Sequence, residues 1–274
     1  MQADKPVLLP DGRYREPPID PLSPRFLARS AIFALVVVFF AACLSLAQVD
    51  LARLAEGIPR LLRWASKAWP PYLGDLDMML FRAAETVAIA TVATVAATVV
   101  AFPLSVLISK NMGAPGFVAA PVRWVCNALR GIDTVVFAIL FVAAVGLGPF
   151  AGVLGMMLHA IGVIAKLNSE AIETLPKAPL EAAALSGASQ AKIVSYAVLP
   201  ASLPSLASVS LYVWEANVRT STILGIVGAG GIGIEIKAAI DLLDFQKLFT
   251  LTVIVLAMVT VIDQLSAFLR RRLV

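Results

Sequence analysis

The chain has 274 residues, of which 59% are hydrophobic and only 15% are charged. Average soluble domains carry about 25% charged residues, so a soluble core could not hide this much apolar surface and the composition requires a membrane. The net charge of +4 comes from cations at helix flanks rather than along one solvated face, which argues against nucleic acid as a partner. Two cysteines and one histidine without ligand spacing indicate neither a disulfide framework nor a metal site.

The first 27 residues are rich in proline, which interrupts regular helices. The prolines are Pro6, Pro10, Pro17, Pro18, Pro21 and Pro24. We therefore predict a loose cytoplasmic tail over residues 1–27 and a first transmembrane helix over residues 28–47. A cleaved signal peptide ending near residues 45–47 is the alternative, but the long tail before the apolar run favours a retained helix.

Residues 48–78 carry apolar side chains at spacings of three and four, with charged side chains between them. Leu51, Leu54, Ile58 and Leu61 follow this spacing, and Arg53 and Arg60 fall between them. A helix with one apolar and one charged face lies in the plane of the membrane interface. The segment therefore predicts an amphipathic helix on the outer membrane surface.

Five further apolar segments are long enough to cross a bilayer, because about 20 helical residues span a hydrocarbon core of about 30 Å. They cover residues 79–109, 122–147, 150–167, 201–218 and 248–269. Together with the first helix they give about six transmembrane helices. The predicted fold is therefore an all-α, polytopic membrane protein.

A short polar break before the fifth span leads into the sequence EAAALSGASQAKIVSYAVLP at residues 181–200. It resembles the cytoplasmic loop of permease subunits of bacterial ABC importers, although Ala197 replaces the usual branched apolar residue. The resemblance implies a coupling loop near 169–194 with a short helix that docks into a separate ATPase. The docking residues that it implies are Glu181, Ala182, Ala183 and Gly187. A polar loop of some other transporter is the alternative.

The coupling loop also sets the predicted orientation of the chain. If residues 169–194 face the cytoplasm, counting helices in both directions places both termini there. Lys and Arg are more numerous on that side than on the other, which supports the topology moderately.

A glycine-rich segment follows the fifth span and reads GIVGAGGIG at residues 225–233. Gly228, Gly230 and Gly233 satisfy the spacing of a dinucleotide-binding turn, but no buried strand precedes them, so we reject that interpretation. Together with Gly231 they allow irregular backbone at membrane depth, which persists only beside protein or water. The segment predicts either a re-entrant turn that gates a pore or close helix packing through small residues.

Two motifs narrow the resemblance. The chain looks like the permease subunit of phosphonate ABC importers in two places. One is the run Asn217-Val218-Arg219 before GIVGAGGIG, and the other is VAAVGLGPFAGVLG at residues 142–155. The similarity covers residue 80 to the C-terminus and defines a permease domain over residues 79–274. It implies the type I importer fold, with the chain in the cytoplasmic (inner) membrane of a bacterium. Phosphate or phosphite in place of phosphonate is the alternative cargo.

The same resemblance implies the partners of the chain. These are a second copy of the chain, two ATPase subunits that carry ATP and Mg²⁺, and a periplasmic or lipid-anchored substrate-binding protein. No cofactor is expected on this chain, and the G-x-x-x-x-G-K-[ST] signature of an ATP-binding loop is absent from its sequence.

Charged and hydroxyl residues in the spans are candidates for the cargo pathway, because charge at membrane depth usually faces a cavity or a bundle interior. The candidates are Arg130, Glu215, Asn217, Arg219, Thr220 and Ser221. Arg130 and Arg219 either line the anion route or neutralise nearby carboxylates, and the four-residue spacing lets Glu215 pair with Arg219. We expect His159 to make a helix-to-helix hydrogen bond and Glu85 to be a solvated flank.

Two other classes of function remain open from the sequence. A secondary transporter or channel would need no ATPase and would be active by itself. A membrane-embedded enzyme is the weakest class, because the single histidine supports neither a paired metal site nor a serine triad.

Overall fold

The computed structural model describes residues 7–8, 14–15, 24–112 and 115–273. The chain divides into two compact units, Met1–Leu62 and Arg63–Val274. In the first unit, the two-residue strands β1 (Val7–Leu8) and β2 (Tyr14–Arg15) pair antiparallel. Most of the predicted proline-rich tail lies outside the described residues. Helix α1 (Pro24–Leu46) follows, and α2 (Leu51–Lys67) begins in the first unit.

The second unit consists of helices joined by turns and short irregular segments, and its described residues contain no strand. Its α-helices are α3 (Leu76–Ile108), α4 (Gly116–Gly131), α5 (Thr134–Val145), α6 (Pro149–Glu173), α7 (Lys177–Leu185), α8 (Gln190–Ile193), α9 (Leu199–Leu224), α10 (Gly233–Asp241) and α11 (Phe245–Leu273). Short 3₁₀ turns cover Lys110–Met112 and Gly225–Val227, and a π-helical stretch at Val194–Val198 joins α8 to α9.

Five helical segments among the described residues are long and apolar enough to cross a membrane, and a bent pair makes a sixth if it counts as one span. The five are Phe26–Leu46, Leu76–Ile108, Pro149–Glu173, Gln190–Val227 and Phe245–Arg272. The prediction of an all-α fold with about six spans is confirmed.

The prediction of one continuous helix over residues 122–147 is wrong. The chain breaks between Gly131 and Thr134, and α5 leaves α4 at an angle of 91°. Asp133 causes the restart, because its Oδ1 accepts a hydrogen bond from Val135 N at 2.8 Å and so caps the first turn of α5.

The contacts of α3 and α6 show that the bent pair nevertheless carries the chain back across the bundle. At one end, Asn111 donates to Ile172 O at 2.8 Å. At the other end, the same glycine segment packs on both helices, with Gly231 against Thr86 and Gly230 against Pro149. The two helices therefore run parallel, and α4 and α5 must return the chain between them. We call the end where Asn111 meets Ile172 the coupling end, because it bears α7. The opposite end, where the glycine segment packs, is the glycine end.

The core of the second unit is built from small residues that let backbones approach closely. A Cβ on Gly155 of α6 would lie 2.7 Å from the backbone N of Ala138 on α5. On α3, Ala90, Ala93 and Ala97 are fully buried. Helix α6 thus packs between α3 and the α4–α5 pair, and these contacts position the two ends of the bundle.

Candidate functional site: the coupling helix, the glycine loop and the polar residues of α9

The coupling end carries a short exposed helix within the predicted coupling loop. In α7, Glu181 and Ala182 are exposed and Ala183 is half-buried, packing on a cluster that contains Ile172 and Val198. Leu185, at the end of the helix, is 89% exposed. One face of α7 is therefore fixed to the bundle while the other is open to a partner.

Gly187 ends this helix in a left-handed conformation, with φ +77. Its N–H donates to Ala184 O at 3.0 Å, and Ala188 N donates to Ala183 O at 3.2 Å. These two bonds are the Schellman pattern, which glycine favours because it lacks a Cβ. No atom lies within 4 Å of a Cβ built on Gly187, so conformation, rather than crowding within this chain, requires glycine here.

At the glycine end, the segment Gly225–Gly233 forms a compact loop packed on α3 and α6. Gly228, Gly230 and Gly231 all have positive φ. A Cβ would meet the backbone of Pro149 at Gly230, the hydroxyl of Thr86 at Gly231, and Thr222 O at Gly233. The loop is thus irregular backbone covered by protein, the arrangement that membrane depth tolerates.

Hydrogen bonds from α3 hold this loop in place. Thr86 Oγ1 accepts from Ile232 N at 2.8 Å, and Glu85 Oε2 accepts from Gly231 N at 3.3 Å. The same Glu85 oxygen accepts from Arg82 Nη1 at 2.8 Å. The expectation that Glu85 is a solvated flank is therefore wrong, because its carboxylate anchors the loop to α3.

The start of α11 is fixed to the same end by charge. Lys247 Nζ lies 2.8 Å from Glu235 Oε2 on α10 and 4.0 Å from Asp75 Oδ2. The Tyr72 hydroxyl donates to Asp75 at 3.3 Å, and the negative charge of Asp75 raises the pKa of Tyr72 above its ordinary value. If α10 moves, it must therefore either break the ion pair between Glu235 and Lys247 or move together with the start of α11.

A groove of about 540 Å³ opens at the glycine end between this loop and the turn before α6. Gly148 N donates to Gly228 O at 2.9 Å at its edge. Arg82 and Lys237 line it, but Glu85 and Asp241 pair with them at 2.8 and 3.1 Å. The groove is therefore balanced in charge and offers no concentrated anion site.

The predicted pair on α9 is confirmed and has a third member. Arg219 Nη2 donates to Glu215 Oε1 at 2.8 Å, and Arg270 Nη2 on α11 donates to Glu215 Oε2 at 2.8 Å. The sequence analysis missed Arg270, which stands in a run of three arginines at residues 270–272. Its signal is the spacing of Asp263, Ser266 and Arg270 along one face of α11.

The hydroxyl residues beside Arg219 either donate to the backbone of α9 or are buried. Thr220 donates to Ala216 O at 3.1 Å and Thr222 donates to Arg219 O at 2.7 Å. Ser221 is fully buried, and its Oγ has no hydrogen-bond partner among the described residues. The Thr220 and Thr222 hydroxyl protons are therefore used within α9, and Ser221 is enclosed by protein in this conformation.

Asn217 lies in the contact between α9 and α3. Its side chain is buried, and Nδ2 donates to Thr94 Oγ1 at 2.8 Å. One turn away, Trp214 Nε1 donates to Thr91 Oγ1 at 2.9 Å. The sequence signal for this ladder is the spacing of threonines along α3, which the sequence analysis did not use.

Arg130 ends α4 with an exposed side chain. Among the described residues it forms no ion pair, and Asp133 caps α5 instead of neutralising it. The predicted helix-to-helix bond of His159 is confirmed, since its Nδ1 lies 2.8 Å from Ile132 O in the bend. Across the described parts of the chain, no group of three or more His, Cys, Asp or Glu residues could hold a metal ion.

Residues 101–274 match the family described as the binding-protein-dependent transport system inner membrane component. The chain belongs to this family. Members are permease subunits of ABC transport systems, and the chain is a multi-pass membrane protein of that kind.

Individual relatives in this family carry names that refer to phosphorus oxyanions. HtxC of Stutzerimonas stutzeri, which its name assigns provisionally to phosphite transport, is 44% identical over 89% of this chain and 86% of its own length. The phosphite transport system permease protein PtxC of the same organism is 35% identical over 90% of this chain and 89% of its own length. The phosphate-import permease protein PhnE of Mycolicibacterium smegmatis is 39% identical over 75% of this chain and 39% of its own length.

A solved structure supports the fold. The inward-facing MetNI methionine ABC transporter contains a chain that superposes with a TM-score of 0.65 at 22% identity, covering 74% of this chain and 100% of that chain. The predicted type I importer permease fold is thereby confirmed.

Proposed function

We propose that this chain is the membrane-spanning permease subunit of an ATP-driven importer for phosphorus oxyanions that a substrate-binding protein delivers. The observation that carries the proposal is the 44% identity to a phosphite-system permease over 89% of the chain. Phosphite, phosphonate and phosphate share a tetrahedral phosphorus group with at least three oxygens. The chemistry of the proposed pathway is therefore the same for all three.

The proposed assembly contains two copies of this chain and two ATPase subunits in a bacterial cytoplasmic membrane. ATP and Mg²⁺ bind to the ATPases, and both termini of this chain face the cytoplasm. Exposed side chains of α7, with Glu181 and Leu185 at its open face, dock on the ATPase. The Schellman turn at Gly187 supports this role by ending the docking helix without adding a side chain to its exposed end.

The cargo route runs along the face of α9 that bears Arg219. This side chain is 48% exposed yet lies within the apolar span Gln190–Val227. A guanidinium at membrane depth faces water or protein rather than lipid. In the proposed dimer, this face borders the central cavity, and exposed Arg130 is a second cation for the route.

The glycine loop is the proposed outer gate. It lies at the end of the bundle opposite α7, where it meets the start of α6, and its positive-φ glycines permit close approach. Bonds from Thr86 and Glu85 support a closed loop in this conformation. Opening requires these bonds to be broken or exchanged.

A substrate test on the whole importer examines this proposal. The permease, the ATPase and the binding protein are reconstituted together, and ATP hydrolysis is measured with phosphite, methylphosphonate, phosphate or methionine. We expect stimulation by at least one phosphorus oxyanion and none by methionine. Stimulation by methionine alone would contradict the proposed cargo class.

A further inference from the structure

A carboxylate on α9 is held between two guanidinium groups from different helices. Glu215 uses Oε1 for Arg219 and Oε2 for Arg270, each at 2.8 Å. The Glu215 side chain is 12% exposed, whereas those of Arg219 and Arg270 are 48% and 33% exposed. The two cations therefore cover the carboxylate and themselves reach the surface.

One carboxylate compensates only one of these two positive charges. The nearest acidic residue along α11 is Asp263, about two helical turns before Arg270. It forms no ion pair within 4.0 Å with a described residue, and its Oδ1 is buried without a hydrogen-bond partner there. Both guanidiniums thus share Glu215, and the second positive charge has no paired counter-ion in the described part of the chain.

The arrangement also leaves donors of Arg219 unused. A guanidinium has five N–H donors, and the hydrogen bond to Glu215 uses Nη2 alone. The neighbouring hydroxyl of Thr222 donates to the backbone of Arg219 rather than to its side chain. The other donors of Arg219 can therefore meet an incoming oxyanion before Nη2 releases Glu215.

Resting on the proposed function, we propose that Glu215 is an internal counter-anion, which the phosphorus oxyanion displaces from Arg219 while Arg270 retains it. Glu215 gives Arg219 only Oε1, because its Oε2 accepts from Arg270. A phosphorus oxyanion can present two oxygens to the planar fork of Arg219, so it can form more hydrogen bonds there than the contact that it replaces. No covalent bond forms or breaks in this exchange. The tethered carboxylate weakens cargo binding, and a transport site needs weak binding for release.

Arg270 is a positioning residue in this scheme. A displaced Glu215 without a partner would be a largely buried, unpaired charge, which is costly. The bond to Arg270 keeps Glu215 paired in both states and lowers the cost of displacement. Arg270 therefore acts on the cargo only through Glu215.

The test measures equilibrium binding of labelled phosphite and labelled phosphate to the permease–ATPase complex in lipid nanodiscs, without the binding protein. Glu215→Gln removes the competing charge, so we expect the Kd to fall about ten- to hundredfold, the range of a charge-assisted hydrogen bond. Arg270→Gln should raise the Kd about tenfold or more, since displaced Glu215 then has no second partner.

The double variant Glu215→Gln, Arg270→Gln distinguishes positioning from direct contact. Its Kd should equal that of Glu215→Gln alone, because Arg270 has nothing left to position. Asp241→Asn is the matched control, since it removes the carboxylate of an exposed pair with the same four-residue spacing, Lys237 and Asp241. Its Kd should equal that of the unaltered chain.

Three results would overturn the displacement scheme. They are an unchanged or raised Kd in Glu215→Gln, a double variant that binds more weakly than Glu215→Gln, and no measurable anion binding in any form. Assembly with the ATPase is checked for each variant, and Glu215→Ala replaces Glu215→Gln if the latter fails to assemble. If the importer with the unaltered chain takes up phosphite with ATP but the Kd is unchanged in Glu215→Gln, the displacement scheme alone is refuted. If the complete importer shows no ATP-driven uptake of any phosphorus oxyanion, the proposed function is refuted.

Discussion

The substitution Gly230→Ala tests how closely the glycine loop must pack on α6. Gly230 has φ +88, and a Cβ there would lie 2.8 Å from Pro149 Cα and 3.0 Å from Pro149 N. The left-handed backbone costs a non-glycine residue about 1–2 kcal/mol, and an extra carbon in a packed contact costs about 1–3 kcal/mol. We therefore expect a total loss of about 2–5 kcal/mol.

Gly228→Ala is the matched control within the same loop. Its φ is also +88, but a Cβ would meet only the end of the Leu147 side chain, which is 79% exposed and free to rotate. This variant carries the backbone cost alone, about 1–2 kcal/mol. The difference between the two variants therefore isolates the contact with Pro149.

Thermal unfolding of the purified complexes measures this difference. A gap of about 1–3 kcal/mol places the Tm of Gly230→Ala about 2–12 °C below that of Gly228→Ala. If the loop is the gate, phosphite uptake also falls more in Gly230→Ala while assembly with the ATPase persists. Equal Tm values for the two variants would refute the packing argument, and equal uptake would leave the gate unsupported.

Three further predictions concern coupling, packing and charge. Gly187→Asp should lower ATP hydrolysis and uptake together. Gly187→Asn should retain more of both, because asparagine tolerates the same left-handed turn and adds no charge. Equal activity of the two variants would contradict docking at this turn. Thr94→Val leaves the buried Asn217 amide without its acceptor and should cost about 1–3 kcal/mol in thermal unfolding. This is more than we expect for Thr260→Val, because the exposed Thr260 hydroxyl donates to Leu256 O of its own helix; the reverse order would show that the Asn217 bond is unimportant. Arg219→Gln should abolish uptake in a transport assay, because Arg219 binds cargo, and the double variant Glu215→Gln, Arg219→Gln should also lack uptake. Uptake that returns in the double variant would mean that Arg219 only balances the charge of Glu215.

The number and approximate position of the spans were predictable because hydrophobic length alone determines them. The bend between α4 and α5 was not found by that criterion, since apolar residues continue on both sides of it. A local signal was present in the sequence, because Gly131 and Asp133 are a helix terminator and an N-cap in close succession. The angle of 91° depends on packing against α6, which no local pattern specifies.

The candidate site was predictable only where its partners are close in sequence. Glu215 and Arg219 are one turn apart, so helical spacing predicts their pair. Arg270 joins them across 55 residues, and Gly231 reaches Glu85 across 146 residues. Such pairs arise from the packing of α9, α11 and the glycine loop. Spacing along α11 places Arg270 on a polar face, but it does not identify the residue of another helix that Arg270 meets.

The central claim, that this chain conducts phosphorus oxyanions at the expense of ATP hydrolysed by a partner, is tested most directly by uptake into proteoliposomes. Labelled phosphite, phosphate and methylphosphonate are supplied to vesicles that contain this chain alone, with the ATPase, or with the ATPase and the binding protein. The account predicts uptake of at least one of them only in the complete system with ATP. Uptake by this chain alone without ATP would contradict it and indicate a secondary transporter or channel.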